Sequence, residues 1–357
     1  MVGGGWTGCH LATRLLSLGF HVKLLEERKR IFQSASGFNQ SRLHVGYHYP
    51  RSFETIANLK LGTSEFLMHY DFLTKNVSRN FYGIAVVDSL LEWNAYLALL
   101  ELNGLTYEVF SPSSLDLRNL SGLVRVDERV INVESARTFF SDNLTSHLMV
   151  GTPVREVVKD GRGVRVNGEY HDLLLDCTSG RLGCIPSSDQ IYEPTLLFYF
   201  KSSKPNAFSL TVMDGRFFSL LEAPHLGPDM YCLSSVTHSP LGRYRDYSDA
   251  SERIQSIKLT EVYTRLSNAI KGFSHFVPDF ENLFEWISFS ATIKVKHAGN
   301  ASARKWEVLG GDPVMSIVVE KIGYITLVEK IVLERMVGKK LDRRLIENSC
   351  LVPNPLH

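Results

Sequence analysis

The sequence has little that would staple a protein covalently or fix it to a surface. Its five cysteines, at positions 9, 177, 184, 232 and 350, are odd in number and scattered, with no close C-x-x-C pair. That excludes a disulfide framework and a thiolate zinc site, so no metal is expected and a cytoplasmic setting is. No apolar run approaches the roughly twenty residues of a membrane helix, and no basic leader with an apolar core is recognised. Charge of one sign is missing too. Lys and Arg number 39 against 38 Asp and Glu, and a formal net charge of +1 argues against nucleic acid or acidic membrane as the partner. A small molecule is the partner expected. With 44% apolar residues over 357 positions, the chain can still bury a sizeable core, enough for two domains at roughly 100–200 residues each.

What is present begins at once. The opening "MVGGGWTGCHLATRLLSLGFHVKLLEE" holds G-x-G-x-x-G at Gly3, Gly5 and Gly8, then a helical spacing of leucines, a turn at Gly19 and an alternating run that ends in acid. The first glycine makes a tight turn, the second lets backbone approach a pyrophosphate, and the third lets helix and strand pack closely. Phosphates then sit on the N–H groups and positive dipole end of the helix. Glu26, 18 positions after Gly8, is placed to accept hydrogen bonds from a ribose, and its neighbour Glu27 can take the same role. Only Met1-Val2 precedes the glycines, whereas a strand runs to about five or six residues; part of the first strand is expected to be missing.

Further along, residues 53–75 carry an imperfect apolar stripe that predicts a helix; 81–89 predicts a strand and 90–103 a helix. Residues 130–149 predict a short strand or turn and then a helix capped by Ser135. From 151 the character changes. Asp160-Gly161 and Asn167-Gly168 mark hairpins, and the run 173–177 suits a buried parallel strand returning to the first sheet. Several segments within 190–240 predict an antiparallel sheet, and 250–275 a helix. The segment from Trp306 reads as strand, Asp-Pro turn, strand, loop around Gly323 and a basic-ended helix. No repeat or low-complexity linker separates the parts, so an α/β architecture with interleaved domains is expected.

Three separated blocks carry a family resemblance. "VGGGWTGCHLATRLLSLGFHVKLLEE" runs into "SASGFNQSRLHVGYHYP"; "TPVREVVKDGRGVRV" is followed by "DLLLDCTSG"; and "SIVVEKIGYITLVEKIV" lies near the end. Together they resemble the FAD-dependent oxidoreductases of the D-amino-acid-oxidase type, the group that includes glycine oxidase, 2-hydroxyglutarate oxidase and glycerol-3-phosphate dehydrogenase. The resemblance implies a Rossmann-like FAD-binding domain from 1–75, 130–188 and 290–345, a mainly antiparallel β-sheet substrate domain from 76–129 and 189–289, and a tail at 346–357. It also implies that Gly3, Gly5, Gly8, Glu26, Ser36, Asn39, Val154, Gly180 and Lys321 lie near FAD. The third block departs from the family at Val319-Glu320, where some members carry two glycines. "GGDP" at 310–313 is similar to the Gly-Asp segment of flavin monooxygenases, so Asp312 reads either as a flavin contact or as the starter of an Asp-Pro turn.

If FAD lies along the first turn, the loop "SGFNQSRLHVGYHYPRS" at 36–52 delivers side chains to the flavin and the adjacent pocket. Ser36 and Asn39 suit phosphate or ribityl hydrogen bonds. Arg42 and Arg51 suit a carboxylate or phosphate of the substrate, or surface ion pairs. His44 and His48, unranked, suit a base that takes a proton as hydride leaves carbon, and Tyr47 and Tyr49 can orient substrate or pack. The leading expectation is an FAD-dependent oxidoreductase that moves hydride from a C–N or C–O bond of a small polar, anionic metabolite to flavin. The alternatives are a flavin monooxygenase using NAD(P)H, a non-redox flavoenzyme of the sugar-mutase kind, and a non-catalytic flavin-binding protein.

Overall fold

Val2 occupies the place of a strand. It makes parallel bridges to both Leu25 and Asp176; its N–H donates to Leu175 O at 3.0 Å and its carbonyl accepts from Cys177 N at 2.8 Å. Two residues of extended backbone thereby join flanking strands into one sheet, in the order Leu148–Met149, Leu24–Leu25, Val2, Leu174–Asp176, Val314–Val319 and Trp306–Gly311. All pairings are parallel except the last. The computed structural model describes residues 1–336 apart from 188, 206, 216 and 300–303; the expected tail at 346–357 lies outside the described residues.

Helices cover this sheet because their apolar positions recur at helical spacing. In Trp6–Ser17 the buried face includes Cys9, Ala12 and Leu15, and in Ile325–Met336 it includes Val328, Val332 and Met336. Between the two helices, His10 Nε2 and Arg14 Nε each meet Glu329 at 2.8 Å.

The second layer is an eight-stranded sheet, ordered Phe284–His297, Gln190–Ser202, Met230–Ser235, Phe218–Glu222, Ser209–Met213, Asn80–Ala85, Leu120–Val126 and Tyr107–Phe110. It is antiparallel as expected, save for the pair Ser209–Met213 with Asn80–Ala85. One face receives helix Leu259–Ser274, whose Val262, Leu266, Ala269 and Phe273 fall on one stripe and pack on Phe198, Leu220 and Leu233. A small antiparallel sheet of Arg42–Leu43, Arg129–Ile131 and Thr74–Asn76 completes the strand set around the site.

Several local expectations shift. The helix from Phe53 ends at Tyr70, and Thr74–Asn76 leaves it to pair with Arg129–Ile131. Helix Val133–Asn143 is capped by Asn132, whose side chain accepts from the N–H of Ser135, so Ser135 is not the cap. Both Asx-Gly turns join strands as expected. Strand Phe284–His297 is absent from the sequence expectations. It pairs with Gln190–Ser202 along its whole length, so the chain stays in the large sheet through His297.

A buried ion pair joins the small sheet to the link by which the chain leaves the large one. Arg42 Nη1 donates to Glu128 Oε2 at 2.7 Å, and both side chains are almost wholly enclosed. Removing one partner leaves an uncompensated buried charge, so Glu128→Gln should lower folding stability by about 3–5 kcal/mol, read as a reduced denaturant midpoint.

Candidate active site

Between the two large sheets lies a cavity of about 1230 Å³. Its first end is made by the glycine turn. Gly3 has φ +100°, and a Cβ there would meet Cys177 O at 2.9 Å; a Cβ on Gly8 would lie 1.9 Å from Gly3 O. Helix Trp6–Ser17 opens without a side-chain cap from Gly5, and Gly5, Trp6 and Thr7 line this end of the cavity. Ser36 Oγ sits over this end, accepting from Trp6 N at 3.1 Å, and a Cβ on Gly5 would meet that oxygen at 2.9 Å. The Glu26 carboxylate accepts from Gly4 N at 2.6 Å and Arg28 N at 2.8 Å, which fixes it at the end of Leu24–Leu25. Glu27 lines the same end but is held by Arg181 in a two-pronged pair.

The other end receives the histidine loop. His44, His48 and Tyr49 line it with Lys321 and Arg304. The His44 and His48 rings stand edge to face, 5.1 Å apart. Lys321 Nζ lies 3.1 Å from His44 Nε2, while Lys321 and Arg304 face the Tyr49 ring at 5.2 and 4.8 Å. Burial first, then the cationic neighbours Lys321 and Arg42, holds both imidazoles well below their ordinary range. Burial, with Arg304 beside it, likewise pushes the Lys321 ammonium well below the ordinary lysine range. The loop is seated from two sides: Thr63 Oγ1 donates to His44 O at 2.7 Å, and Gly62 packs directly on the carbonyl of Gly323.

Of the residues expected at the site, Gly3, Gly5, Glu26, Glu27, Ser36, Asn39, Val154, Lys321, Arg42, His44, His48 and Tyr49 line the cavity, and Gly8 supports it from behind. Four others lie away from it. Arg51 pairs with Asp214 at 2.5 Å, Tyr47 donates to Thr106 O at 2.6 Å, Gly180 borders a neighbouring recess of about 640 Å³, and Asp312 sits in the turn between Trp306–Gly311 and Val314–Val319. Arg42 reaches the wall, but its guanidinium donates to Glu128, Tyr82, Thr211 and Ser219. It therefore has no free fork for a substrate carboxylate, and of its two expected roles the ion pair is the one found, though buried instead of at the surface. Thr292, Lys294 and Lys296 line the wall unforeseen. Their alternation, Thr-x-Lys-x-Lys, was the available signal.

These residues fit FAD. The glycine cradle leaves no room for a side chain, the uncapped helix start suits a pyrophosphate, and Glu26 presents fixed acceptors for a ribose. Gly8→Ala forces atoms into Gly3 O. Overpacking of that kind costs about 1–3 kcal/mol, roughly ten- to a hundredfold in FAD affinity. The variant should purify with a low ratio of flavin to protein absorbance, while Arg51→Lys should retain its flavin.

No protein-family model matches the chain. Among characterised proteins it is 33% identical over 325 residues to the FAD-dependent monooxygenase FPY4 of Fusarium mangiferae, covering 91% of this chain and 87% of that protein. It is 23% identical to the FAD-dependent monooxygenase kojA of Aspergillus flavus, covering 93% and 84%. Among solved structures, NikD, an unusual amino acid oxidase essential for nikkomycin biosynthesis, superposes with a TM-score of 0.71 at 14% identity, covering 97% of this chain and 95% of that one. Glycine oxidase from Geobacillus kaustophilus gives 0.66 at 13%, covering 96% and 94%. Among the described residues no helix is long and apolar enough to cross a membrane. A relative as similar as FPY4 over nearly the whole chain settles the family: the chain belongs to the FAD-dependent oxidoreductases, enzymes that carry FAD, on a fold of the D-amino-acid-oxidase type.

Proposed function

We propose that this enzyme oxidises a C–N or C–O bond of a small polar, anionic metabolite, with His48 as the group that accepts the proton. The FAD-binding unit would be the one built around the sheet that contains Val2, and the substrate unit the one built around the eight-stranded sheet. FAD supplies the two-electron acceptor when bound. The observation that carries the reading is the state of the two histidines. His44 has its Nε2 taken up by Lys321, whereas His48 makes no hydrogen bond among the described residues and is packed among His44, Tyr49, Tyr82 and Phe217. An imidazole buried beside cations stays neutral, and a neutral imidazole can take a proton from an amine or hydroxyl. The positive wall of Lys294, Lys296, Arg304 and Lys321 favours a substrate of negative charge.

A second reading, oxygen insertion with NAD(P)H as reductant, is favoured by the names of FPY4 and kojA. The two separate on mixing without oxygen. Amino acids, amines and 2-hydroxy acids are added anaerobically to the holoenzyme: loss of the yellow flavin band with one of them supports the first reading. Substrate-stimulated NAD(P)H consumption in air, with no anaerobic bleaching, supports the second.

For the first reading His48→Gln should slow flavin reduction by roughly 10²–10⁴-fold with FAD retained. The sign of the pH dependence follows from the neutral base. The rate is lost when His48 gains a proton, and since burial and the cations lower its pKa, activity should persist down through pH ~6.5 and fall only below it.

A further inference from the structure

Strand Phe284–His297 brings Thr292, Lys294 and Lys296 to successive alternate positions, so they share one face of the sheet, and all three line the cavity. The charges there do not balance. Glu193, directly across the ladder from Lys294, gives Oε1 to Lys296 Nζ at 2.5 Å and Oε2 to Arg243 Nε at 3.4 Å. Glu320 gives Oε1 to His297 Nδ1 at 2.5 Å, and its Oε2 faces Arg304 at 3.7 Å. Among the described residues these are the two carboxylates lining this end of the cavity, and neither reaches Lys294. Two positions along the strand, Thr292 is 4% exposed and its Oγ1 makes no hydrogen bond among the described residues. A buried hydroxyl without a partner is costly, and so is an ammonium that no carboxylate meets in a direct ion pair. One ligand group cancels both costs if it brings negative charge and an oxygen that accepts from the hydroxyl.

We infer that Thr292 and Lys294 form the anion-holding end of the substrate site and that the group they hold is the carboxylate of a small organic acid. One ammonium and one hydroxyl suit a singly charged, two-oxygen group. A phosphate dianion would want a guanidinium fork or a helix start, and Arg42 is already engaged by Glu128 while Arg304 faces Glu320. The inference rests on the reading of this cavity as the site of substrate oxidation, and it replaces Arg42 and Arg51 with Lys294 as the substrate's ionic partner. Burial, then the charges of Lys296 and Lys321, lowers Lys294 to about 8 against the opposing pull of Glu193 and Cys232; His48 also lies within its field. A carboxylate seated on Lys294 favours its charged form, so above pH ~8 binding takes up a proton.

The test uses the holoenzyme and small carboxylates from acetate to phenylacetate, each beside its neutral amide. Binding is read from the flavin difference spectrum, and proton uptake from calorimetry in two buffers of different ionisation enthalpy at pH ~8.5. Carboxylates should bind and the amides should not. K294M should bind carboxylates roughly ten- to a hundredfold more weakly with no proton uptake and unchanged FAD content. K294R should retain binding, again without uptake, because guanidinium stays charged. Equal carboxylate affinity in wild type and K294M, or no carboxylate binding at all, overturns the inference. If a neutral amine or alcohol bleaches the flavin while no carboxylate perturbs it, the inference fails and the oxidation reading stands. If carboxylates bind through Lys294 and nothing bleaches the flavin, the inference stands and the oxidation reading fails.

Discussion

The carboxylate of Glu128 is the centre of a buried network that joins the small sheet, the large sheet and the histidine loop. Its Oε2 accepts from Arg42 in the small sheet and from the Tyr82 hydroxyl in the large sheet, both at 2.7 Å, while Oε1 accepts from Val45 N in the histidine loop at 3.2 Å. Arg42 then extends the network to the hydroxyls of Thr211 and Ser219. A buried ion pair is weak evidence of net stabilisation, since desolvation opposes it. Here every partner is satisfied, and the network fixes one register for a loop with no regular structure around His44 and His48. The position of those imidazoles is a consequence of it.

The opposite side of the loop is held by shape. Gly62, in the middle of helix Phe53–Tyr70, lets that helix reach the backbone at Gly323, and the next residue, Thr63, bonds His44 O. The short turn Ile322–Tyr324 thereby carries Lys321 up to His44. The site is assembled where the first and third family-like blocks meet, and the residues between are those that let them approach. Val319 and Glu320, which replace glycines found in some relatives of the fold, do not prevent this. Val319 ends its strand facing the cavity, and Glu320 turns its carboxylate to His297 and Arg304.

What could be read from the sequence was local. The glycine turn, the acid ending the second strand, the hairpins at Asp160-Gly161 and Asn167-Gly168, and the run 173–177 each depend on neighbours within a few residues, and each stands where it was expected. For Arg42 and Arg51 the sequence left a substrate anion and an ion pair equally open, because what decides a guanidinium's role is a distant carboxylate: Glu128 is 86 positions from Arg42, and Asp214 is 163 from Arg51. Strand Phe284–His297 escaped for a related reason. Its inner face turns to the cavity instead of to a core, so Thr292, Lys294 and Lys296 stand where apolar residues would have revealed a strand. The feature that hid the strand is the one that makes it chemically useful.

The two ends of the cavity are held by different forces. At the far end, His48 packs among the rings of His44, Tyr49, Tyr82 and Phe217. At the glycine-turn end, Arg181 grips Glu27 and lies 4.8 Å over the Tyr247 ring of helix Tyr247–Gln255, bridging the layer of the glycine turn and that of the eight-stranded sheet. Both charged partners are partly open to solvent, where ions screen attraction over roughly 8 Å at physiological ionic strength. Salt therefore weakens the ionic half of this clasp while leaving the ring contacts around His48 untouched, so the two ends of the cavity answer to different variables of the surrounding solution.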